Sequence, residues 1–281
     1  MHLGIFSYNV QYGARPDELA RACEERGFES FWVGEHTHIP ASRLTPYPGG
    51  EPLPRPYYHM ADPLVSLMAA AAATTTIKLG TGICLVVEHD PIVLAKAVAT
   101  LDWLSNGRLL FGIGAGWNRE EMANHGTPFA RRWQVLRERV EAMKAIWTQE
   151  EASYNGTFVQ FERIISSPRP VQQPHPPILL GGATARGRQR VVRYCDGWIP
   201  IDVLLDDLPA ALADLRQKAV SAGRDPQSLS ISVFAFEGAT PEALQRYRAL
   251  GVSRVVLVAP RRLPEALAFL DRLAGLIPAL L

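Results

Sequence analysis

The chain has 281 residues, 47% of them hydrophobic and 20% charged, and its formal net charge is +1. This composition is that of an ordinary globular protein, and the small net charge argues against a nucleic-acid or membrane partner held by a global field. The three cysteines lie far apart and form no CxxC pair, so we expect a reduced, cytoplasmic protein. We expect no signal peptide, because no basic region followed by an apolar one opens the chain. We expect no membrane span, because the longest apolar run is about half of the roughly 20 residues that a span needs.

Strand and helix patterns alternate along the chain. Short apolar runs predict strands at 3–8, 28–34, 77–85, 108–113, 178–180, 197–201, 229–236 and 252–258. Amphipathic patterns predict helices at 16–26, 63–73, 91–105, 133–149, 186–195, 208–222, 241–250 and 264–274. Asp62-Pro63 and Asp90-Pro91 each place a capping aspartate before a proline, which is typical of a helix start. Eight strand–helix units predict an α/β fold, a parallel sheet closed into a (β/α)8 TIM barrel that forms a single domain over residues 1–281.

Two segments interrupt this alternation. Residues 40–60, after the second strand, are rich in proline, glycine and tyrosine and are too long for an ordinary connection. Residues 151–177, before the fifth strand, include YNGTFVQFE, which predicts a hairpin that turns at Asn155-Gly156. We expect both insertions to lie above the mouth of the barrel and to line a pocket there.

Functional residues of a TIM barrel lie on the loops that follow its strands. The second strand ends in Glu35 and His36, with His38 close behind. A lone histidine at such a place is as often a solvated loop residue as a functional one, but its position at a strand end favours a function for His36. The fourth strand ends in Gly114, Ala115, Gly116 and Trp117. Glycines there let the backbone approach a phosphate or a ring, although a bulge in a crowded barrel explains them equally well.

The third and fifth strands end in two further groups of residues. Gly181, Gly182 and Ala183 run directly into the helix that contains Arg186, and free amides at a helix start form a natural anion site. Glu88, His89 and Asp90 follow the third strand and resemble a metal cluster only superficially. Asp90 is better explained as a helix cap, and His89 as a structural residue.

Several segments together resemble the luciferase-like monooxygenase superfamily, and within it the branch of coenzyme F420-dependent oxidoreductases. They are FESFWVGEH (28–36), DPLVSLMAAAAATTTIKLGTGI (62–83), HDPIVLAKAVATLDWLSNGRLLFGIGAGWNREEM (89–122), PRPVQQPHPPILLGG (168–182) and DGW (196–198). The resemblance covers residues 1–201, and the last 80 residues fit the barrel without a distinctive motif.

The resemblance implies that F420, or alternatively FMN, lies across the carboxyl ends of the strands. It implies that Glu35 and His36 lie at the ring, with His36 as proton donor or substrate orienter. Relatives carry a non-proline cis peptide that backs the ring, and Gly82-Ile83 matches its position. The residues implied at the phosphate and its loop are Gly114, Ala115, Gly116, Gly181, Gly182, Ala183 and Arg186. Relatives are often homodimers.

One position departs from the family pattern. Some F420 enzymes carry a catalytic glutamate after the strand-four glycines, where this chain has Trp117. A sugar-phosphate dehydrogenase of that type is therefore not expected, and Trp117 is interpreted as a wall of the substrate pocket. Glu120 and Glu121 follow, and either could reach the mouth.

Four functions stay open. The first is F420-dependent hydride transfer to an unidentified small organic substrate, and the second is an FMN-dependent monooxygenase. The third is a barrel metalloenzyme that uses Glu35, His36, His38, Glu88, His89 and Asp90. The fourth is a cofactor-binding homologue without catalysis. We favour the first, with no metal, because a metalloenzyme leaves the glycine loops unexplained.

Overall fold

The computed structural model describes residues 1–236, 238 and 240–280. Within them, eight parallel strands alternate with helices and close into one barrel. The barrel strands are β1 (His2–Ser7), β2 (Ser30–Val33), β3 (Lys78–Thr81), β4 (Leu109–Ile113), β7 (Ile178–Gly181), β8 (Gly197–Ile199), β9 (Ser230–Ala235) and β10 (Arg254–Val258). Two further strands, β5 (Ala152–Asn155) and β6 (Gln160–Ile164), form an antiparallel hairpin. The predicted TIM barrel is confirmed.

Apart from one short helix, the helices begin within one residue of their predicted starts. They are α1 (Pro16–Glu25), α2 (Pro63–Ala73), α3 (Pro91–Leu104), α4 (Arg119–Asn124), α5 (Arg132–Thr148), α6 (Ala185–Tyr194), α7 (Leu208–Ser221), α8 (Pro241–Ala249) and α9 (Leu263–Ala274). The Asp62 carboxylate accepts a hydrogen bond from the Val65 amide, and the Asp90 carboxylate accepts from the amides of Ile92 and Val93, so both predicted caps are confirmed. The short helix α4 was not predicted. No helix in the described part of the chain has the length and apolar character of a membrane span.

The order of strands around the barrel sets which loops can meet. The order is β1-β10-β9-β8-β7-β4-β3-β2, so β7 lies opposite β1, while β2, β3 and β4 lie side by side. Because all eight strands are parallel, their carboxyl ends open on one mouth. Residues that follow β2, β3, β4 and β7 therefore share one side of that mouth.

Large apolar side chains fill the interior of the barrel. They are Phe6, Trp32, Leu110, Leu179, Ile199, Phe234 and Val256. The Trp32 and Phe234 rings meet edge to face with centroids 5.6 Å apart. Gly80 leaves the room for Trp32, since a Cβ atom at position 80 would lie 2.1 Å from the indole ring. The barrel interior below the mouth is thus a packed core. A second apolar cluster lies between the strands and the helices, and it includes the buried cysteines Cys23, Cys84 and Cys195, which form no disulfide.

Strand β3 is shorter than predicted. The sequence predicts a strand over 77–85, but the ladder ends at Thr81. Beyond it the Leu85 amide donates to the Glu35 carboxylate instead of to a neighbouring strand, and Val86–Glu88 form a 3-10 turn. Cys84 still pairs with the end of β4, so the Glu35 carboxylate holds the chain from Leu85 onward.

The insertion 151–177 packs against the outside of the barrel, and its hairpin end, residues 158–161, lines a pocket with residues that follow β3. The prediction that the insertion lies above the mouth is therefore wrong for the rest of the segment. Its hairpin forms, although the connection spans residues 156–159 rather than turning at Asn155-Gly156. The Tyr154 hydroxyl donates to Glu141 and the Phe158 amide to Glu138, both on α5. Farther along, the Gln172 side-chain amide donates to the Leu109 carbonyl at the start of β4, which is the end of the barrel away from the mouth. The side chains on α5 provide polar partners that the insertion's own sequence does not reveal.

The insertion 40–60 does reach the mouth. The Glu120 carboxylate accepts hydrogen bonds from the amides of Leu44 and Thr45 and from the Thr45 hydroxyl, at 2.6 to 3.2 Å. These hydrogen bonds, above all the one from the Thr45 hydroxyl, lower the pKa of Glu120 to about 2. Tyr47 and Tyr57 of the same insertion join through their hydroxyl groups at 2.9 Å.

Candidate active site

His36 lies at the mouth, just beyond β2, and its ring is fixed by neighbours. Its Nδ1 lies 2.7 Å from a carboxylate oxygen of Glu121, and both side chains are buried, at 6% and 0% exposure. The imidazole packs against Tyr57 and Trp117, with centroid distances of 5.2 and 5.7 Å. Among the described residues, Nε2 has no hydrogen-bond partner. His36 is therefore oriented through Nδ1, while Nε2 stays unpaired among the described residues.

Glu121 comes from the short helix α4. Asn118 caps this helix by accepting a hydrogen bond from the Glu121 amide at 3.4 Å, which fixes the first turn of α4. One Glu121 oxygen meets His36, and the other is buried without a hydrogen-bond partner in the described chain. Glu120, its neighbour, points instead to the 40–60 insertion.

Glu35 points away from His36. Its two oxygens accept from the Leu85 amide at 2.5 Å and pair with His89 Nε2 at 2.7 Å. Burial raises the pKa of Glu35, but the hydrogen bond and charge of His89 outweigh this, so that its pKa lies below the ordinary value. For His89 the two effects have the opposite signs. Burial lowers its pKa, but the hydrogen bond to Glu35 outweighs burial, so the pKa of His89 lies above the ordinary value. Glu35 therefore binds the segment that follows β3, through the Leu85 amide and the His89 ring.

Ile83 forms the floor of the mouth, and the glycines around it make room for its side chain. The Gly82-Ile83 peptide bond is cis, as the resemblance implies. A Cβ atom at Gly114 would lie 2.4 Å from Ile83 Cδ1, and one at Gly181 would lie 3.1 Å from Ile83 Cγ2. Close packing against Ile83 therefore accounts for glycine at both positions, 114 and 181.

Trp117 stands in the wall of the mouth, as interpreted from the sequence. Its ring contacts Tyr47 with centroids 5.6 Å apart, and the Arg43 guanidinium lies 5.7 Å from it. Ala115 is buried beneath, while Gly116 has a φ of +66°, a conformation that favours glycine. The loop that follows β4 therefore places Trp117 beside His36.

The loop after β7 presents an open backbone at the start of α6. Gly182 has a φ of +131° and open space where a side chain would be, and Thr184 caps α6 by accepting from the Gly187 amide at 3.0 Å. Arg188 is used internally, since it binds the Ala183 carbonyl at 2.9 Å. Arg186 is exposed at the first turn. Free amides, a helix start and a nearby cation together suit a phosphate or carboxylate.

The six residues of the metalloenzyme hypothesis are not brought together. Asp90 caps α3, and His38 Nε2 pairs with the Asn124 amide at 2.8 Å. Glu35 and His89 do lie near Cys84, with candidate ligand atoms within 4.8 Å of one another, but hydrogen bonds already join Glu35 to His89 and to Leu85. These bonds explain the cluster as a structural support.

A family model described as luciferase-like monooxygenase matches residues 1–274. The chain belongs to the luciferase-like monooxygenase family. It is 44% identical to an uncharacterized protein of Mycobacterium tuberculosis over 98% of each chain. Two characterised relatives differ in cofactor. An F420-dependent hydroxymycolic acid dehydrogenase of M. tuberculosis is 28% identical over 81% of this chain and 60% of its own. An FMNH2-dependent dimethylsulfone monooxygenase of Pseudomonas putida is 32% identical over 60% of this chain and 46% of its own.

Solved structures share the fold of this luciferase-like protein. A monooxygenase from Streptomyces bottropensis superimposes with a TM-score of 0.80 at 22% identity, covering 99% of both chains. An F420-dependent secondary alcohol dehydrogenase superimposes with a TM-score of 0.78 at 18% identity, covering 100% of this chain and 99% of that one. The barrel is therefore common to relatives with either kind of chemistry.

The sequence did not reveal the role of Glu121 or the state of Glu88 in this luciferase-like barrel. Neither oxygen of the buried Glu88 has a hydrogen-bond partner in the described chain, and His125 lies 3.8 Å away. Burial, and then the charges of Glu121 and Glu35, raise the pKa of Glu88 to about 9. An asparagine followed three residues later by glutamate is the pattern of a helix start, and it was the one available signal for Glu121.

Proposed function

We propose that this protein is an F420-dependent oxidoreductase that transfers a hydride between the deazaflavin and an unidentified small organic substrate. The observation that carries the proposal is the fixed His36 imidazole at the mouth, with Nδ1 on Glu121 and Nε2 unpaired among the described residues. The resemblance to the F420 branch and the F420-dependent dehydrogenase among the relatives support this choice of cofactor.

The residues present fit such a cofactor. Ile83 offers an apolar floor for a ring, because glycines on either side leave its side chain at the surface of the mouth. Gly182, Ala183 and the first turn of α6 offer amides for a phosphate, and Arg186 adds a positive charge. Packing around Ile83 explains Gly114 and Gly181, so we assign them to shaping the floor rather than to the phosphate.

The protein's own contribution is position, exclusion of water and one proton. When bound, F420 supplies the hydride chemistry. Glu121 holds Nδ1 of His36, so Nε2 is the nitrogen that gives a proton to the substrate oxygen or accepts one from it. Glu35 acts indirectly. It accepts a hydrogen bond from the Leu85 amide and so fixes the segment that contains Ile83. Tyr47, Tyr57 and Trp117 screen the imidazole from water.

An FMN-dependent monooxygenase is the second candidate. The 32% identity to the FMNH2-dependent enzyme of P. putida over 60% of this chain favours it. Titration of the purified protein with F420 and with FMN, followed by absorbance and fluorescence, separates the two. We expect F420 to bind and FMN to bind at least tenfold more weakly, where tenfold corresponds to about 1.4 kcal/mol. Tight FMN binding without F420 binding overturns the first choice.

Variants at Ala183 test the phosphate loop within the same titration. Ala183→Asp places a carboxylate beside the free amides, so we expect the affinity for F420 to fall about tenfold or more. Ala183→Ser is the matched control, because it changes the side chain without adding charge, and it should bind as the parent does. Equal affinities of the two variants would show that the phosphate lies elsewhere.

A further inference from the structure

A cavity of about 670 Å³ opens at the carboxyl ends of β1 and β10. We name it the arginine cavity; its lining includes Tyr8, Tyr12, Arg55, Arg261, Arg262 and Glu265. Since β1 lies opposite β7 in the barrel, this cavity lies across the mouth from the Gly182 loop. Its volume is in the range of sites that bind small molecules.

Aromatic contacts connect the arginine cavity to His36. The Tyr8 and Tyr57 rings have centroids 6.0 Å apart, and Tyr57 in turn contacts His36 at 5.2 Å. Val258, also in the lining, packs against the apolar interior of the barrel. The lining of the cavity is therefore linked to the imidazole by two ring contacts, from Tyr8 to Tyr57 and from Tyr57 to His36.

The lining carries an excess of positive charge. Within the described chain, Arg55, Arg261 and Arg262 have no carboxylate within 4.0 Å, and Glu265 is the one acid that lines the cavity. Arg55 stacks over Tyr12, with 4.7 Å between its guanidinium carbon and the ring centroid. The Arg261 carbonyl accepts from the Ala14 amide at 2.7 Å, which fixes that loop beside β1. Three unpaired guanidinium groups around one cavity favour a bound oxyanion.

We propose that the arginine cavity binds the anionic group of the substrate, a carboxylate or phosphate on an organic molecule whose reacting end lies at His36. This inference rests on the proposed function and adds the substrate class to it. The tyrosines provide apolar surface for the body of the molecule, and the guanidinium groups provide the charge. The phosphate loop lies on the far side of the mouth, so one site holds the cofactor's anion and the other the substrate's.

Calorimetric titration of the cofactor-free protein with three small probes tests the proposal. Benzoate and phenyl phosphate carry the two anionic groups on an apolar ring, and benzamide is the neutral analogue of benzoate. We expect at least one anion to bind, at least tenfold more tightly than benzamide, with an affinity that falls as salt is added. The more tightly bound anion identifies the group. Equal binding of benzamide, or no binding of either anion, overturns the proposal.

Variants place the anion in the cavity. Arg261→Gln should weaken binding of the anion about tenfold, whereas Arg246→Gln, at an exposed position of α8, should leave it unchanged. Both side chains are exposed, and thermal melting confirms that each variant folds. Equal effects of the two variants would contradict the assignment.

The cofactor titration separates this proposal from the proposed function. Arg261→Gln should bind F420 as the parent does. Weaker F420 binding in this variant would assign the cavity to the cofactor's anionic tail and overturn the substrate assignment. Anion binding that depends on Arg261, in a protein that does not bind F420, would sink the proposed function and leave the oxyanion site standing.

Discussion

At the residue scale, the buried pair of His36 and Glu121 is the feature on which the proposed function rests. The two residues are 85 positions apart in the chain and meet at 2.7 Å. A buried carboxylate fixes which nitrogen of the imidazole faces the mouth, and that orientation is what proton transfer requires. Glu121 acts through His36, so it is a positioning residue.

Substitutions at these two residues distinguish chemistry from binding. His36→Ala removes the proposed proton donor, and we expect turnover with F420 to fall about a hundredfold or more, with little change in F420 affinity. Glu121→Gln keeps the size of the side chain but removes the charge that orients the ring, so a smaller loss of turnover is expected. Steady-state rates and F420 titration measure both. Unchanged turnover in His36→Ala would remove His36 from the mechanism.

Glu88 makes stability depend on pH. Its pKa is about 9 in the folded protein, raised first by burial and then by Glu121 and Glu35, from an ordinary value of 4.5. Between these values the folded state keeps a proton that the unfolded state releases, so the free energy of unfolding falls as pH rises from about 4.5 to about 9.

Glu88→Gln should therefore stabilise the protein, since the amide is neutral at every pH. We expect a gain on the order of 2 kcal/mol at pH 7, a larger gain at pH 8.5 and almost none near pH 4.5. Urea unfolding at these three pH values measures it. Glu162→Gln, at an exposed position of the hairpin, is the control and should show no such trend. A gain that does not change with pH would contradict a protonated Glu88.

At the element scale, starts and ends of helices were predictable, and the path of the insertions was not. Asp62 and Asp90 cap their helices through local hydrogen bonds, which a short stretch of sequence encodes completely. The insertion 151–177 is placed by partners on α5 and at the start of β4, distant in sequence, so its composition could not show on which side of the barrel it lies.

Glycines at the strand ends illustrate the same limit. Their presence signals a close approach, but the sequence does not say of what. At Gly114 and Gly181 the neighbour is the Ile83 side chain, whereas at Gly182 the space is open. Of these three, only Gly182 leaves room for a ligand where a side chain would be. The difference depends on how three neighbouring strands stack, and no local pattern contains it.

At the scale of the whole molecule, the barrel was predictable because it repeats one unit eight times. Each strand needs two buried faces and each helix one, and that alternation survives in the hydrophobic pattern. Chemistry at the mouth needs residues from several different units to meet, as His36 and Glu121 do. Strand order explains why they can meet, since β2 and β4 flank β3.

Closure of the barrel around a filled interior can be tested at Gly80. A Cβ atom there would lie 2.1 Å from the Trp32 ring, in a core where Trp32 already contacts Phe234. Gly80→Ala should thus lower the free energy of unfolding by about 2–3 kcal/mol, through overpacking that the closed sheet cannot relieve. Gly187→Ala is the matched control, because a Cβ atom there meets its nearest neighbour at 3.4 Å within α6, and it should be neutral or stabilising. Chemical denaturation measures both, and equal effects would mean that the interior has room to spare.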